Sequence, residues 1–235
     1  MPTIAFFDFD GTLLTGDSGL LCAGASVRLG LVGPRDVLAF VGRYALYKAG
    51  LGTRRAMQLV GFRCYAGRTL EDLRATTRDL HAKYLRRHAS PAMLRAVEMH
   101  RERGDRLVIL TGAAHFFAEP FAAEWGFDEV HGTRLEYENG ICTGRVAGEV
   151  LDGAAKRALA QRIAGELATP LDACTFYTDH VADLPLLEGV GRPVVVGQAK
   201  GLRSIAQREE WPVVPHHRPT LVPSGPSLLG EATPD

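Results

Sequence analysis

Two aspartates, Asp8 and Asp10, directly follow a short apolar run at residues 3–7. Residues two apart on an extended chain point to the same side, so the two carboxylates are expected to share one side of the strand end. Like charges this close repel each other unless a divalent cation or a shared proton lies between them. A solvated turn is the alternative, because Asp-Phe-Asp-Gly is also good turn composition. The pattern favours the carboxylate pair, which suits an aspartate nucleophile that is transiently phosphorylated beside a second carboxyl that acts as acid and base.

Further candidate residues lie later in the chain. Thr111 and Gly112 end an apolar run, Lys156 lies in a helical pattern, and Asp179 and Asp183 follow another apolar run. Taken singly, Thr111 is a typical helix cap, Lys156 a typical surface lysine, and the two aspartates a typical capping pair. Their order and their places at strand ends favour one shared site instead.

Short apolar runs, each followed by small or polar residues, predict the strands of one parallel sheet at residues 3–7, 106–110, 175–177 and 193–196. Helical patterns lie between them, at 91–103, 116–125, 154–168 and 184–188. Strands and helices alternating at this spacing predict an open α/β sheet. Because ligands bind beyond the carboxyl ends of the strands in such sheets, the candidate residues fall where a site is expected.

Three stretches depart from this alternation. Residues 16–88 have a helical pattern throughout and predict an insertion after the first strand. Residues 134–146 predict a β-hairpin whose turn holds Asn139 and Gly140, and the proline-rich tail from Trp211 predicts irregular structure. The predicted domains are therefore a core at 1–15 and 89–210, a helical cap at 16–88 and a tail at 211–235.

These motifs together resemble the haloacid dehalogenase (HAD) superfamily of hydrolases. Asp8-Phe9-Asp10-Gly11-Thr12 is similar to its first motif. The other three follow in the required order, with LVILTG at 107–112, Lys156, and YTDHVADLPLL at 177–187. The early helical insertion is most similar to the phosphoserine-phosphatase-like subfamily, HAD-IB. The resemblance implies a Rossmann-like open parallel sheet flanked by helices, with an all-helical cap of the C1 type inserted after the first strand.

The resemblance also implies roles for the carboxylates. Asp8 is expected to attack phosphorus, and Asp10 to protonate the leaving alcohol and then to deprotonate water. Mg²⁺ is the implied cofactor, and its expected ligands are Asp8, the backbone carbonyl of Asp10, Asp179 and waters. Dehalogenating members lack the second aspartate because a halide leaving group needs no proton. The presence of Asp10 therefore favours a phosphatase.

The remaining motif residues are implied to bind the phosphate or to balance its charge. The Thr111 hydroxyl and the Gly112 N–H are expected to hold phosphate oxygens at a strand-to-helix turn. Lys156 is expected to balance the charge of the phosphate and the nucleophile, and Asp183 to orient Lys156 or the metal-bound waters. Such a set supplies the positioning and charge stabilisation that phosphoryl transfer needs.

The cap is expected to select the substrate. Asp17 lies where phosphoserine phosphatases carry a glutamate that contacts the substrate amine, or else it caps the following helix. Cap arginines that could bind a substrate carboxylate are Arg54, Arg55 and Arg63. His180 stands where relatives commonly have serine, and contact with the metal site, contact with substrate and a surface position are all open for it. Phosphoserine, histidinol phosphate and, given the apolar helical pattern at 37–51, a lipid-like phosphate stay open as substrates.

Composition narrows the class of protein. Lys and Arg number 27 and Asp and Glu also 27, so no charge excess favours nucleic acid. Four scattered cysteines and the lack of a signal-like N-terminus predict a cytoplasmic location. No apolar run reaches the roughly 18 residues of an integral membrane segment. A small-molecule phosphate ester is the expected partner, and the pattern predicts no particular oligomeric state.

The predicted function is Mg²⁺-dependent hydrolysis of a small phosphomonoester through an aspartyl-phosphate, with a phosphoserine-like substrate among those considered. A phosphotransferase that uses the same intermediate is one alternative. A non-enzymatic module that binds a phosphorylated ligand is another, and the intact set of motif residues argues against it.

Overall fold

The computed structural model describes residues 3–28, 30, 32–197 and 201–216 of the chain. Its strands are β1 (Ile4–Phe7), β2 (Arg106–Ala114), β3 (Glu129–Thr133), β4 (Leu135–Glu138), β5 (Ile141–Val146), β6 (Thr175–Thr178), β7 (Arg192–Val196) and β8 (Val213–Val214). Six of them form one parallel sheet in the order β3-β2-β1-β6-β7-β8, and β4 and β5 pair as a separate antiparallel hairpin. The predicted α/β class and the predicted hairpin are both confirmed.

The helices are α1 (Ser18–Arg28), α2 (Pro34–Lys48), α3 (Arg54–Arg63), α4 (Leu70–Leu80), α5 (Pro91–Glu102), α6 (Glu119–Trp125), α7 (Gly153–Glu166), α8 (Leu184–Leu187) and α9 (Leu202–Arg208). The first four lie between β1 and α5, and a π turn (His81–Leu85) and a 3₁₀ turn (Arg86–His88) complete that stretch. The division of the chain into core and cap domains stays a prediction. None of the helices in the described ranges combines the length and the apolar character that crossing a bilayer requires.

Strand β1 is apolar at every position because both of its faces are covered. Ala5 and Phe7 belong to the core on one side of the sheet, and Ile4 and Phe6 to the core on the other side. Side chains alternate across a strand, so a central parallel strand is read as an unbroken apolar run. This packing fixes the backbone immediately before Asp8.

Two strands were absent from the sequence prediction. The first, β3, has the sequence EVHGT, which lacks the apolar run of a central strand because it lies at the edge of the sheet. The second, β8, lies in the tail that was predicted to be irregular, and that prediction is wrong for residues 213–214. Two backbone bonds tie this stretch to β7, from the Val195 N–H to the Pro212 carbonyl and from the Gly197 N–H to the Val214 carbonyl. The rest of the predicted tail, from residue 217, lies outside the described residues.

A buried polar network connects β1 and β6 with the end of α5. Tyr177 stacks on Phe7 with ring centroids 4.6 Å apart, and its hydroxyl lies 2.9 Å from Nε2 of His100. Nδ1 of His100 lies 2.7 Å from the Asp105 carboxylate, which also accepts the Thr3 N–H. Burial lowers the pKa of His100 although Asp105 opposes the shift. The imidazole is therefore neutral at pH 7, and it donates to Asp105 while accepting from Tyr177.

We expect His100→Phe to lower the free energy of unfolding at pH 7.5 by about 1–3 kcal/mol, because Asp105 and Tyr177 lose a buried partner. With a lowered pKa in the folded state, the unfolded chain binds a proton that the folded chain does not. Wild-type stability should therefore fall as the pH drops below about 6.5, and the variant should lose part of that dependence. Urea unfolding at pH 7.5 and pH 5.5 measures both effects. His131→Phe, on the edge strand β3, is the matched control and should cost less than about 1 kcal/mol; an equal loss in both variants would contradict the role of the network.

Candidate active site

Lys156 lies between two carboxylates at the carboxyl ends of β1 and β6. Its Nζ is 2.7 Å from Oδ1 of Asp8 and 2.8 Å from Oδ2 of Asp183, and all three side chains are fully buried. Burial would lower the pKa of Lys156, but Asp183 and Asp8 outweigh it and raise the pKa. The Thr178 hydroxyl donates a further bond of 2.7 Å to Asp183. The ammonium is thus held in its charged form beside Asp8.

The helix α7 places Lys156 in this position. Lys156, Ala160 and Ile163 are buried on one face of α7, at the spacing of helix turns. The ammonium lies 5.8 Å from the ring centroid of Phe176 on β6. Lys156 is therefore not a surface lysine, which was the ordinary interpretation of this residue taken alone.

The carboxylates of Asp8 and Asp10 have different partners. Asp10 accepts the N–H of Ser18 at 2.7 Å, at the start of α1, whereas Asp8 binds Lys156. Burial raises the pKa of Asp10 to about 8, and repulsion by Asp17 adds to the shift. Asp17 accepts the N–H of Leu20 at 3.0 Å and so caps α1. Its carboxylate also lines the cavity beside Asp10, so the capping position and a position near substrate are compatible.

Thr111 and Gly112 lie inside β2, because this strand continues to Ala114. The predicted strand-to-helix turn at Thr111 is therefore wrong, since pairing with β3 carries the extended chain onward. The Thr111 hydroxyl accepts the N–H of Ala113 at 3.1 Å. The Gly112 carbonyl accepts bonds from Gln58 at 3.2 Å and from Thr133 at 2.9 Å.

Asp8, Asp179 and Asp183 place carboxylate oxygens that could hold a divalent cation. Oδ2 of Asp8 and Oδ1 of Asp183 are buried without a hydrogen-bond partner. Asp179 lies so close to Gly11 that a Cβ there would be 2.2 Å from its Oδ2. Burial raises the pKa of Asp179 to about 7, and the Asp8 charge adds to the shift. A divalent cation bound among these carboxylates would relieve this repulsion.

No cluster of three or more His, Cys, Asp or Glu side chains within the described ranges is arranged to hold a metal ion. The lack of such a cluster is compatible with a Mg²⁺ ion near Asp8, because Mg²⁺ is commonly held by one or two carboxylates and keeps several waters. Asp8 and Asp179 supply two carboxylates, and a backbone carbonyl would not count in such a cluster.

Two polar residues of α3, Arg54 and Gln58, line the cavity beside Asp10. Arg54 is half-buried, and its Nη1 is buried without a partner, whereas Arg55 and Arg63 are exposed. Burial would lower the pKa of Arg54, but Asp8 and neighbouring carboxylates raise it. Gln58 is buried too, and its Oε1 has no partner. Arg54 was one of three candidates in the sequence, whereas Gln58 was missed because a single glutamine carries no motif signal.

His180 connects the loop after β6 with α2. Its Nε2 lies 2.6 Å from the Tyr47 hydroxyl, and its Nδ1 accepts the N–H of Ala182 at 3.0 Å. Burial, assisted by the charge of Arg54, lowers the pKa of His180 to about 4, so the ring is neutral. Because Nδ1 accepts, Nε2 carries the proton and donates to Tyr47. A contact between α2 and the loop is thus the observed role of His180.

The class of protein is shown by a family match that covers most of the chain. Residues 5–188 match the model of the haloacid dehalogenase-like hydrolase family, and the chain belongs to this family. The recognition made from the four motifs is thereby confirmed.

Some of the relatives that resemble this chain are named as phosphatases. Phosphoserine phosphatase SerB1 of Mycobacterium tuberculosis is 27% identical to this chain, over 91% of this chain and 70% of its own length. A histidinol-phosphatase of Neisseria meningitidis is 29% identical over 91% of this chain and 99% of its own length. A solved structure of a Bordetella pertussis protein of unknown function has a TM-score of 0.80 at 27% identity, covering 91% of this chain and 98% of that one.

Proposed function

We propose that the protein is a Mg²⁺-dependent phosphatase that hydrolyses small phosphomonoesters through a phosphorylated Asp8. The observation that carries the proposal is the buried contact of Lys156 with Asp8 and Asp183, which leaves Oδ2 of Asp8 without a partner. A buried carboxylate with one oxygen bound by an ammonium and the other free is poised as a nucleophile. The relatives named phosphoserine phosphatase and histidinol-phosphatase support the same reaction.

In this mechanism, Oδ2 of Asp8 attacks phosphorus while the bond from phosphorus to the ester oxygen breaks. Asp10 gives a proton to the leaving alkoxide, so the alcohol departs neutral. Asp10 then takes a proton from water as the water oxygen attacks phosphorus, and inorganic phosphate leaves as Asp8 is restored. Lys156 balances the charge that Asp8 gains when the phosphate departs.

The proposed metal ligands are the Asp8 carboxylate, the backbone carbonyl of Asp10 and the Asp179 carboxylate. Bound there, Mg²⁺ would draw electron density from the phosphate oxygens and so favour attack on phosphorus. Asp183 positions Lys156 through its bond to Nζ rather than through the metal. Thr111 and the Gly112 N–H remain the proposed phosphate ligands.

The stretch from α1 to the 3₁₀ turn at 86–88 is proposed as the cap that selects the substrate. Asp17 and Arg54 line one cavity beside Asp10, so a substrate amine and a substrate carboxylate would each find an opposite charge. A phosphoserine-like substrate fits this pair of charges. A cytoplasmic location stays a prediction.

Removal of the metal tests the proposal. We expect EDTA to lower the rate of phosphate release at least about a hundredfold and added Mg²⁺ to restore it, because the crowded carboxylates lose and then regain their cation. The assay measures inorganic phosphate from a panel that includes phosphoserine and histidinol phosphate. Ca²⁺, which prefers more ligands and longer bonds, is the control and should restore much less. Full hydrolysis in EDTA would contradict the metal dependence, and no hydrolysis of any ester with Mg²⁺ would contradict the function.

A further inference from the structure

The helix α2 has an apolar outer side that no described part of the chain covers. Leu38 is 74% exposed, and Val41, Ala45 and Leu46 are exposed as well. A spacing of three and four residues places Leu38, Val41 and Ala45 on one side of the helix. None of the fifteen residues of α2 is buried, although most of them are apolar or aromatic.

The turn after α2 extends this side by one more leucine. The Leu51 N–H donates to the Leu46 carbonyl at 2.9 Å, and the Gly50 N–H donates to the Tyr47 carbonyl at 3.0 Å. Gly50 has a φ of 76°, which glycine adopts without strain. This Schellman arrangement turns the chain back over the last helical turn, and it leaves Leu51 76% exposed. The outer face of α2 thus consists of Leu38, Val41, Ala45, Leu46 and Leu51.

The opposite side of α2 is engaged within the protein. A Cβ on Gly19 would lie 3.2 Å from the ring of Phe40, and a Cβ on Gly61 would lie 3.3 Å from it, so the ring packs closely on α1 and α3. The Tyr47 hydroxyl lies 2.6 Å from Nε2 of His180. A helix that is apolar on two sides is typical of one that is covered on both. The outer face is therefore the side that a partner would cover.

Cations accompany the outer face. Arg35, Arg43 and Lys48 of α2 are exposed. Asp36 is the single carboxylate of this helix, and it accepts the Gly33 N–H at 3.2 Å at the helix start. Apolar side chains together with exposed lysine and arginine are typical of helices that lie in the surface of an anionic membrane.

A second copy of the chain suits this face less well. The helix is about 22 Å long and about 10 Å wide, so its outer face is much smaller than the about 800 Å² that each partner of a stable dimer buries. A symmetric dimer would also bring the same three cations of both copies together. A lipid surface has neither restriction, because its phosphate groups attract the cations and its acyl chains accept the leucines.

We propose that the outer face of α2 docks on a membrane that contains anionic phospholipids. The leucines enter the boundary between headgroups and acyl chains, and Arg35, Arg43 and Lys48 bind the lipid phosphates. Tyr44 and Tyr47, on the inner side of α2, line an opening that they share with Asp10 and Asp179. Docking would therefore bring the opening of the candidate active site close to the membrane.

Sedimentation with lipid vesicles tests the docking. The full chain is mixed with vesicles of phosphatidylcholine alone, or of phosphatidylcholine and phosphatidylglycerol in equal parts, and the bound fraction gives the partition coefficient. Binding to the anionic vesicles should be at least about tenfold stronger than binding to the neutral ones, and high salt should weaken it about fivefold. Because no phosphate ester is present, this result is independent of the phosphatase function.

A pair of variants locates the contact. Leu38→Glu places a charge on the outer face, and Leu167→Glu makes the same change at another exposed leucine, just after α7. Leu38→Glu should weaken binding to anionic vesicles about tenfold or more, whereas Leu167→Glu should stay within about twofold of wild type. Equal binding by wild type and Leu38→Glu, or no binding by wild type, would overturn the proposal. A dimer in light scattering that Leu38→Glu dissociates would assign the outer face to a second copy instead.

Discussion

Asp8→Asn is expected to reduce phosphate release by about 10⁴-fold or more, since removal of a nucleophile leaves only the binding and electrostatic contributions. The amide is nearly isosteric with the carboxylate, so the packing around it is retained. It has no negative charge with which to attack phosphorus or to bind a cation. The change also removes one of the two carboxylates that hold Lys156. The measurement is kcat/KM for the best ester of the panel.

Asp172→Asn is the matched control for this prediction. Asp172 is exposed, in the 3₁₀ turn Leu171–Ala173 before β6, so its amide should leave kcat/KM within about twofold of wild type. Metal-dependent turnover that survives in Asp8→Asn would show that another group attacks phosphorus. Loss of activity in both variants would point to a folding defect, which circular dichroism separates from a catalytic one.

Lys156→Met is expected to have the second largest effect. The thioether fills a similar volume but leaves Asp8 and Asp183 facing each other without a cation. Removing the cation from a buried charge pair lowers the free energy of unfolding by about 3–5 kcal/mol. The loss is smaller if one of the two aspartates takes up a proton, because a neutral carboxyl does not repel its neighbour. Activity should fall by about 10³-fold or more, because the charge that develops on Asp8 is no longer balanced.

Two further variants sharpen the interpretation. Lys156→Arg should not restore activity, because a planar guanidinium cannot replace a point charge in a fully buried position. Arg162→Met removes a cation from the exposed side of the same helix, where it pairs with Glu166. It should cost less than about 1 kcal/mol and leave kcat/KM unchanged. Lys156→Met with wild-type activity would exclude the proposed role of the ammonium.

Much of the fold could be predicted from the sequence because a sheet buried on both faces requires unbroken apolar runs. The strand β1 is such a run, β6 is buried at all four positions although it begins and ends in threonine, and each strand is followed by an aspartate. The edge strands gave no such signal. The first four residues of β3 are only half-buried, so polar residues are tolerated there, and β8 is too short to show a period.

The site residues could be predicted only where they belong to motifs that follow one another in a fixed order along the chain. Asp8, Lys156 and Asp183 were grouped by motif order, and the structure brings these three into contact. Gln58 and Tyr47 had no comparable signal, because Gln58 contacts a strand and Tyr47 a loop that are each distant in sequence. The extent of β2 was underestimated since small residues after an apolar run resemble a turn, while pairing with β3 is a tertiary effect.

The most direct test of the account is to find where the phosphoryl group is carried during turnover. The protein is mixed with its best ester and Mg²⁺, quenched in acid within one turnover, and mapped by peptide mass spectrometry. Asp8 should carry a phosphoryl group that is stable in acid and released by hydroxylamine, and Asp8→Asn should carry none. Turnover with no modified Asp8, or with the phosphoryl group on another residue, would contradict the assignment of Asp8 as the nucleophile.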